Sequence, residues 1–104
     1  MRIQDIIRAL QDTRVRITDH AVEEAENDQL SLDEVYFSVF EGEIIESYWR
    51  SNQPYPRCLI YGQTPHGEDV HSVWAYNEET QWAVLVTVYC PDPAQWIEGR
   101  KRRT

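Results

Sequence analysis

The feature that most constrains the fold is a change in hydrophobic spacing near residue 43. Before this point the apolar residues recur at helical spacing, and after it short β-rich runs alternate with turn residues. In "RIQDIIRALQ" one helical stripe is formed by Ile3, Ile6, Ile7 and Leu10. Helices followed by strands are typical of an α+β fold, in which the helices pack on one face of an antiparallel sheet.

Two more helices are predicted after the first. Thr18 or Asp19 caps a helix that ends near Asn27, and its early acidic residues suit the helix dipole. Ser31 and Glu34 then have the spacing of a capping box, which predicts the start of a third helix.

The third helix is expected to end at Gly42, a residue type favoured at C-terminal caps. Between the first two helices, "TRVRI" alternates apolar and basic residues and is extended or a short strand.

Four strands are predicted in the second half of the chain, at residues 43–49, 57–64, 69–76 and 82–89, with turns at 50–56, 65–68 and 77–80. The last strand is apolar at nearly every position, so we expect it in the middle of the sheet. Pro91 and Pro93 end it, because proline has no amide hydrogen to donate. The sequence therefore predicts N-terminal helices packed on a four-stranded antiparallel sheet.

A chain of 104 residues fits one domain, which we place at residues 1–98. Residues 99–104 contain the basic run "RKRR" and are expected to form a disordered, solvated tail. The net charge of the chain is −8. Without these four basic residues the chain has six basic and eighteen acidic residues, which gives a net charge of −12. Proteins that grip phosphates usually carry the opposite sign, so general nucleic-acid binding is disfavoured, whereas a local basic site or a basic partner is not.

A cytoplasmic location is expected. The N-terminal "MRIQDIIRAL" lacks the length and polarity of a signal peptide, and no apolar run is long enough to span a bilayer. Cys58 and Cys90 lie in or beside predicted strands and are expected to be reduced thiols.

His20 is a candidate catalytic residue in the first turn of the second helix, four residues before Glu24. The chain has three histidines, and metal sites need three or four ligands, so we predict neither a metal nor a cofactor. The alternative role for His20 is structural, as an imidazole bonded to a loop carbonyl.

His71 is the second candidate and lies in the third predicted strand. A four-residue turn at 77–80 would place it opposite Val86, on the face covered by the helices, where it can meet His20 at a rim; a slip of one residue would exchange the faces. Two imidazoles with Tyr89 can supply the general acid and base of RNA transesterification. The alternative is a packed histidine whose ring nitrogens are hydrogen-bonded.

Substrate-binding candidates are Arg14, Arg16 and Arg57, because the guanidinium group presents a planar fork of donors to phosphate or carboxylate. The alternative is that they form weak surface pairs with the many acidic residues. Trp74 or Tyr89 is the candidate for stacking on a base.

Five segments together resemble, in order, a bacterial domain-of-unknown-function family, number 4258, over residues 17–96: "ITDHAVEEA", "SLDEVYFSVFEGEIIESY", "PRCLIYGQT", "VHSVWAYNEE" and "VTVYCPDPAQW". The resemblance implies a RelE-like toxin layout, an mRNA interferase activity and a zinc-finger antitoxin encoded nearby. By position, His20, Gly42, His71, Tyr89 and Pro91 match residues that recur in the family.

The second helix departs from the family pattern. Relatives commonly carry arginines about four and eight residues after the histidine, whereas this chain has Glu24 and Asp28. A metal-independent nuclease needs cations to stabilise charge on the scissile phosphate. Either those arginines are structural, or this member no longer cuts RNA, or the three candidate arginines replace them.

Two functions follow as expectations. One is a toxin of a toxin–antitoxin system that acts as a metal-independent ribonuclease on RNA. The other is a non-catalytic interaction module, or an inactive family member, that binds a basic protein partner or itself as a homodimer. Convergence of His20 and His71 in one arginine-lined cleft would favour the enzyme.

Overall fold

The computed structural model describes residues 1–49 and 53–102, and in these ranges it confirms an α+β fold. The three helices are α1 (Ile3–Gln11), α2 (Asp19–Asn27) and α3 (Leu32–Phe40). The strands are β1 (Val15–Ile17), β2 (Glu43–Tyr48), β3 (Arg57–Gln63), β4 (Asp69–Asn77), β5 (Trp82–Tyr89), β6 (Trp96–Ile97) and β7 (Lys101–Arg102). No helix within the described ranges is long and apolar enough to cross a membrane.

The second and third helices begin where their capping residues predict. The Thr18 hydroxyl accepts a hydrogen bond from the backbone N–H of Ala21 at 3.0 Å. The Ser31 hydroxyl accepts one from the Glu34 N–H at 3.1 Å, and the Glu34 carboxylate accepts one from the Ser31 N–H at 2.9 Å. These bonds satisfy amide groups that the first turn of a helix leaves without partners.

The main sheet has five strands in the order β1-β5-β4-β3-β2. Strands β2 to β5 form the predicted antiparallel meander, but β1 pairs parallel with β5, so the sheet is mixed. The prediction of four antiparallel strands was therefore wrong by one strand, and the RelE-like layout is not matched exactly. Strand β1 has three residues, which is too short to give a clear hydrophobic pattern. Its pairing with β5 is continued at both ends by backbone hydrogen bonds, from Ala83 N–H to the Arg14 carbonyl at 2.9 Å and from Thr18 N–H to the Leu85 carbonyl at 3.1 Å.

The helices cover one face of this sheet, which we call the helical face. Trp74, Leu85 and Val88 are fully buried there with helix residues such as Ile6 and Val39. The other face, here called the outer face, has a smaller apolar cluster of Leu59, Val73 and Trp96. Two layers therefore cover the sheet, one made of helices and one made of the C-terminal segment.

The C-terminal segment forms a small β-hairpin, in which β6 pairs antiparallel with β7. Residues 99–102 thus differ from the solvated tail expected from their charge, because Trp96 anchors the hairpin with only 4% of its surface exposed. Residues 103 and 104 lie outside the described residues, as do residues 50–52 of the predicted turn at 50–56.

Gly42 and Gly62 let the end of α3 approach the sheet closely. A Cβ atom on Gly42 would lie 2.5 Å from the Ser38 carbonyl oxygen, and one on Gly62 would lie 1.8 Å from the same oxygen. The C-cap residue of α3 is Glu41, so Gly42 serves the close approach rather than the cap itself. Both distances are below any tolerated contact between non-bonded atoms.

Gly62→Ala is expected to lower the free energy of unfolding by about 3 kcal/mol, because α3 must move away from β3 to admit the methyl group. Urea unfolding followed by circular dichroism measures the loss. An unchanged midpoint would show that α3 does not rest on β3 as described.

Candidate functional site

His71 faces the hairpin rather than the helices, so the predicted face was wrong. Its partner on β5 is Tyr89, not Val86. The register differs by three residues. The turn has four residues as expected but lies at 78–81, with Asn77 opposite Trp82, which shifts the pairing by two residues, and a β-bulge between Val73 and Trp74 shifts it by one more. An odd shift moves a side chain to the opposite face of the sheet.

The imidazole of His71 is fully buried among aromatic rings. The Trp96 ring centre lies 4.3 Å away and the Tyr89 ring centre 5.3 Å away, both in edge-to-face geometry. Nε2 is hydrogen-bonded to the Gly99 carbonyl, which can only accept, so Nε2 carries the proton. Nδ1 then accepts from the Tyr89 hydroxyl at 3.3 Å.

Burial lowers the pKa of His71, and it outweighs the Gly99 carbonyl and the nearby Asp69 carboxylate, which act in the opposite direction. The pKa of Tyr89 is raised, also chiefly by burial. Both groups are therefore neutral near pH 7, and the pair is hydrogen-bonded without carrying charge.

A tight turn brings the Gly99 carbonyl to His71. The φ angles of Glu98 and Gly99 are 52° and 73°, and the Arg100 N–H donates to the Ile97 carbonyl at 3.0 Å. Two positive φ angles in the middle of such a turn are the signature of type I′, which suits a hairpin. Gly99 also packs closely, since a Cβ there would lie 2.7 Å from the Tyr61 ring and 2.9 Å from the Asp69 carboxylate.

Two arginines of the hairpin lie on acidic residues of β2. Arg100 Nε is 3.1 Å from a Glu43 carboxylate oxygen. Arg102 makes a two-pronged contact with Glu46, with N···O distances of 2.7 and 3.1 Å. Each guanidinium also lies over an aromatic ring, at 5.4 Å from the Tyr61 ring centre for Arg100 and 4.6 Å from the Trp96 ring centre for Arg102.

A β-bulge in β2 places the two carboxylates on the same face. Residues three apart in a regular strand point to opposite faces. Between Ile44 and Glu46 the register shifts, so that Glu43 lies opposite Tyr61 and Glu46 opposite Leu59. Tyr61 and Leu59 share the outer face, and Glu43 and Glu46 therefore share it too.

His20 does not meet His71. It is exposed on α2, where its Nε2 lies 3.2 Å from a Glu24 carboxylate oxygen. Helix α2 packs on β5 through Ala21 and Ala25, which belong to the core of the helical face, whereas His71 points to the outer face. The expected meeting of the two imidazoles at a rim is therefore wrong.

The other predicted residues are dispersed. Arg14 donates to the Asp12 carboxylate at 2.7 Å and to the Gln81 carbonyl at 3.0 Å. Arg16 and Arg57 lie in one row across the sheet, through the pairings of Arg57 with Ala75, Ala75 with Val84, and Val84 with Arg16. This row is four residues along β4 from His71, or about 13 Å at strand spacing.

Trp74, which with Tyr89 was one of two candidates for stacking on a base, is fully buried on the helical face. Its indole N–H donates to the Ser72 hydroxyl at 2.9 Å, so the polar edge of the ring is satisfied inside the protein. Arg57 is half-buried, and its Nε has no hydrogen-bond partner among the described residues.

An open cleft of about 590 Å³ lies beside the hairpin, and its lining includes Phe37, Glu41, Glu43, Tyr61 and Arg100. In the part of the chain that the structure describes, no three His, Cys, Asp or Glu side chains are grouped to hold a metal ion. The site that the structure does assemble is therefore the His71–Tyr89 pair with Arg100 and Arg102 of the hairpin. These arginines belong to the basic run that the sequence predicted to be a disordered tail.

Comparison with known protein families gives one finding. The model of a family described as "Domain of unknown function (DUF4258)" matches residues 17–90. Neither the curated proteins nor the solved structures give a match. The matched range contains His20, His71 and Tyr89 and ends before the hairpin, so Arg100 and Arg102 lie outside it.

Gly99→Ala is expected to release the hairpin, because a methyl group there collides with Tyr61 and Asp69. NMR titration of the imidazole protons then gives a higher His71 pKa than in the unaltered protein, since water reaches the ring. Gly67→Ala is the matched control: φ is also positive, at 84°, but the new methyl group meets nothing within 4 Å. It costs about 1–2 kcal/mol in backbone strain and leaves the His71 pKa unchanged. Equal His71 pKa values in all three proteins would contradict the burial of His71 beneath Gly99.

Proposed function

The chain belongs to the DUF4258 family of domains of unknown function, and from that premise we propose that it is a non-catalytic interaction module that binds a basic segment of a partner protein. The observation that carries the proposal is the separation of His20 and His71. One is exposed on α2 and pairs with Glu24, and the other is buried on the opposite side of the sheet. Two imidazoles so placed do not share a substrate as general acid and base.

The charge of the protein supports a basic partner. A net charge of −8 attracts cations over distances of about a Debye length and speeds their association. The acidic residues are widely exposed; on α2 they include Asp19, Glu23 and Glu26. Charge complementarity of this kind favours a basic protein surface and disfavours RNA.

Exposed apolar side chains supply contact area for such a partner. Phe37 and Phe40 on α3 are each about two-fifths exposed, and Trp49 after β2 is 66% exposed. Aromatic residues are enriched in the centres of protein interfaces, where they bury large areas. The family resemblance suggests a zinc-finger antitoxin as the partner, and a second copy of the chain is the competing choice.

The first test is binding of a peptide of eight arginines to the purified protein, measured by isothermal titration calorimetry. We expect binding that weakens at least about ten-fold between 50 and 500 mM salt, because screening shortens the reach of the acidic surface. A peptide of eight glutamates is the control and does not bind. Absence of arginine-peptide binding at 50 mM salt would contradict the proposal.

A cytoplasmic ribonuclease toxin of the mRNA interferase type is the second candidate, and a specific observation favours it. His71 and Tyr89 are hydrogen-bonded, so an imidazole lies directly beside a phenol hydroxyl. In this mechanism His71 takes the proton of the 2′-hydroxyl, whose oxygen attacks the phosphorus and forms a 2′,3′-cyclic phosphate. Tyr89 protonates the 5′-oxygen, which leaves. The hairpin must first leave, because His71 has no exposed surface.

Incubation with RNA at low salt without added metal separates the two candidates. The interaction module predicts intact RNA with the unaltered protein and also with Gly99→Ala, in which the hairpin is released. Cleavage by Gly99→Ala that disappears when His71→Gln is added would instead establish the ribonuclease. His66→Gln is the control for the loss of an imidazole, since His66 is exposed in the turn before β4.

A further inference from the structure

We infer that the outer face beside β2 is the docking surface for an extended, arginine-containing segment of the partner protein, which takes the place of the chain's own hairpin arginines. We call the residues that hold those arginines the arginine sites: Glu43 with Tyr61, and Glu46 with Trp96. The inference rests on the proposed function, because it names where the basic segment binds.

Each arginine site combines a carboxylate with an aromatic ring. A carboxylate accepts two N–H groups of a guanidinium, and the face of a ring attracts its positive charge. Arg102 uses both interactions, with two bonds to Glu46 and the Trp96 ring 4.6 Å away. The outer face thus holds arginine in this very structure, and the chemistry it selects is a guanidinium group rather than a general cation.

The spacing of the sites specifies the ligand further. Arg100 and Arg102 are two residues apart, and alternate residues of an extended chain point the same way. The bulge in β2 brings Glu43 and Glu46 to the same face, so the two carboxylates match the two arginines. A partner segment with the pattern Arg-x-Arg in extended conformation fits both sites at once.

The neighbouring cleft gives such a segment more contacts than the hairpin makes. It continues from the first site and is lined by Phe37 and Glu41, a carboxylate that makes no ion pair within the described residues. Phe37 is 39% exposed there. A segment longer than the hairpin can therefore place an apolar side chain on Phe37 and a further cation beside Glu41.

The two arginines of the hairpin are held weakly enough to be replaced, while buried Trp96 keeps its place on the outer face. The side chains of Arg100 and Arg102 are 62% and 63% exposed, and exposed ion pairs typically contribute only about two- to five-fold to an equilibrium constant. The hairpin strands have two residues each. Being attached to the chain gives the hairpin a high effective concentration, so a free peptide competes against it and binds less tightly than the sites allow.

The occupant is a basic partner rather than a second copy of this chain. Each copy carries a net charge of −8, so two copies repel one another, whereas a basic segment is attracted. The competing occupant, the basic C-terminal segment of another copy, is distinguished by the mass of the complex.

The experiment uses full-length protein and a fluorescent peptide with the sequence GRKRRT, which is that of residues 99–104, read by fluorescence anisotropy. Arg100→Ala with Arg102→Ala is expected to tighten peptide binding about three- to ten-fold, because the internal competitor is weakened. Glu43→Gln with Glu46→Gln is expected to weaken it at least about ten-fold. Glu23→Gln with Glu26→Gln makes the same change in charge on α2 and is expected to alter binding less than two-fold. Circular dichroism confirms that each variant is folded.

The outcomes separate the site from the function. Binding that survives Glu43→Gln with Glu46→Gln but fails in the α2 control overturns the docking surface and leaves the interaction module standing. No binding by the unaltered protein or by the arginine variant overturns both. A dimer in light scattering that Arg100→Ala with Arg102→Ala dissociates also overturns the inference, because the occupant is then a second copy.

Discussion

Burial of His71 beneath the C-terminal hairpin is the contact on which the outer face depends. Without the hairpin, Leu59, Val73 and the imidazole would face water; with it, Trp96 closes the surface and the Gly99 carbonyl fixes the tautomer of His71. The same contact positions Arg100 and Arg102 against β2. One short segment therefore determines the protonation of the central histidine, the use of the acidic residues of β2 and the accessibility of the site.

Local signals in the sequence predicted the elements well because they act over a few residues. The capping box at Ser31 and the apolar runs after residue 43 each fix a helix start or a strand without help from distant residues. The short parallel strand β1 was harder, since its hydrogen bonds come from β5, almost seventy residues later. The face of the sheet to which His71 points was predicted wrongly for a related reason. The bulge at Val73 and Trp74 shifts the register, and the hydrophobic pattern of the sequence does not indicate where a bulge occurs.

The residues of the candidate site were likewise predicted only in part. Pairing of His71 with Tyr89 brings two predicted residues together, although through a different register, whereas His20 and Trp74 belong to the helical side. Arg100 and Arg102 were not predicted as site residues, because they lie in a run of basic residues and a charged chain end usually forms a solvated tail. A signal was present in Gly99, which follows Trp96, Ile97 and Glu98 and can adopt the positive φ that a tight hairpin turn needs. Burial of Trp96 then depends on tertiary packing, which no local pattern contains.

The proposed partner segment binds where Arg100 and Arg102 now lie, on Glu43 with Tyr61 and on Glu46 with Trp96. Hydrogen–deuterium exchange of the full-length protein, with and without a saturating Arg-x-Arg peptide, tests this placement most directly. We expect the Arg100 amide, which donates to the Ile97 carbonyl, and the amides of β7 to lose protection when the peptide binds. The Trp96 amide, which donates to the Asp92 carbonyl, and the amides of α3 and β5 keep theirs. An Arg100 amide and a strand β7 that stay fully protected while the peptide is bound would contradict the proposed docking surface.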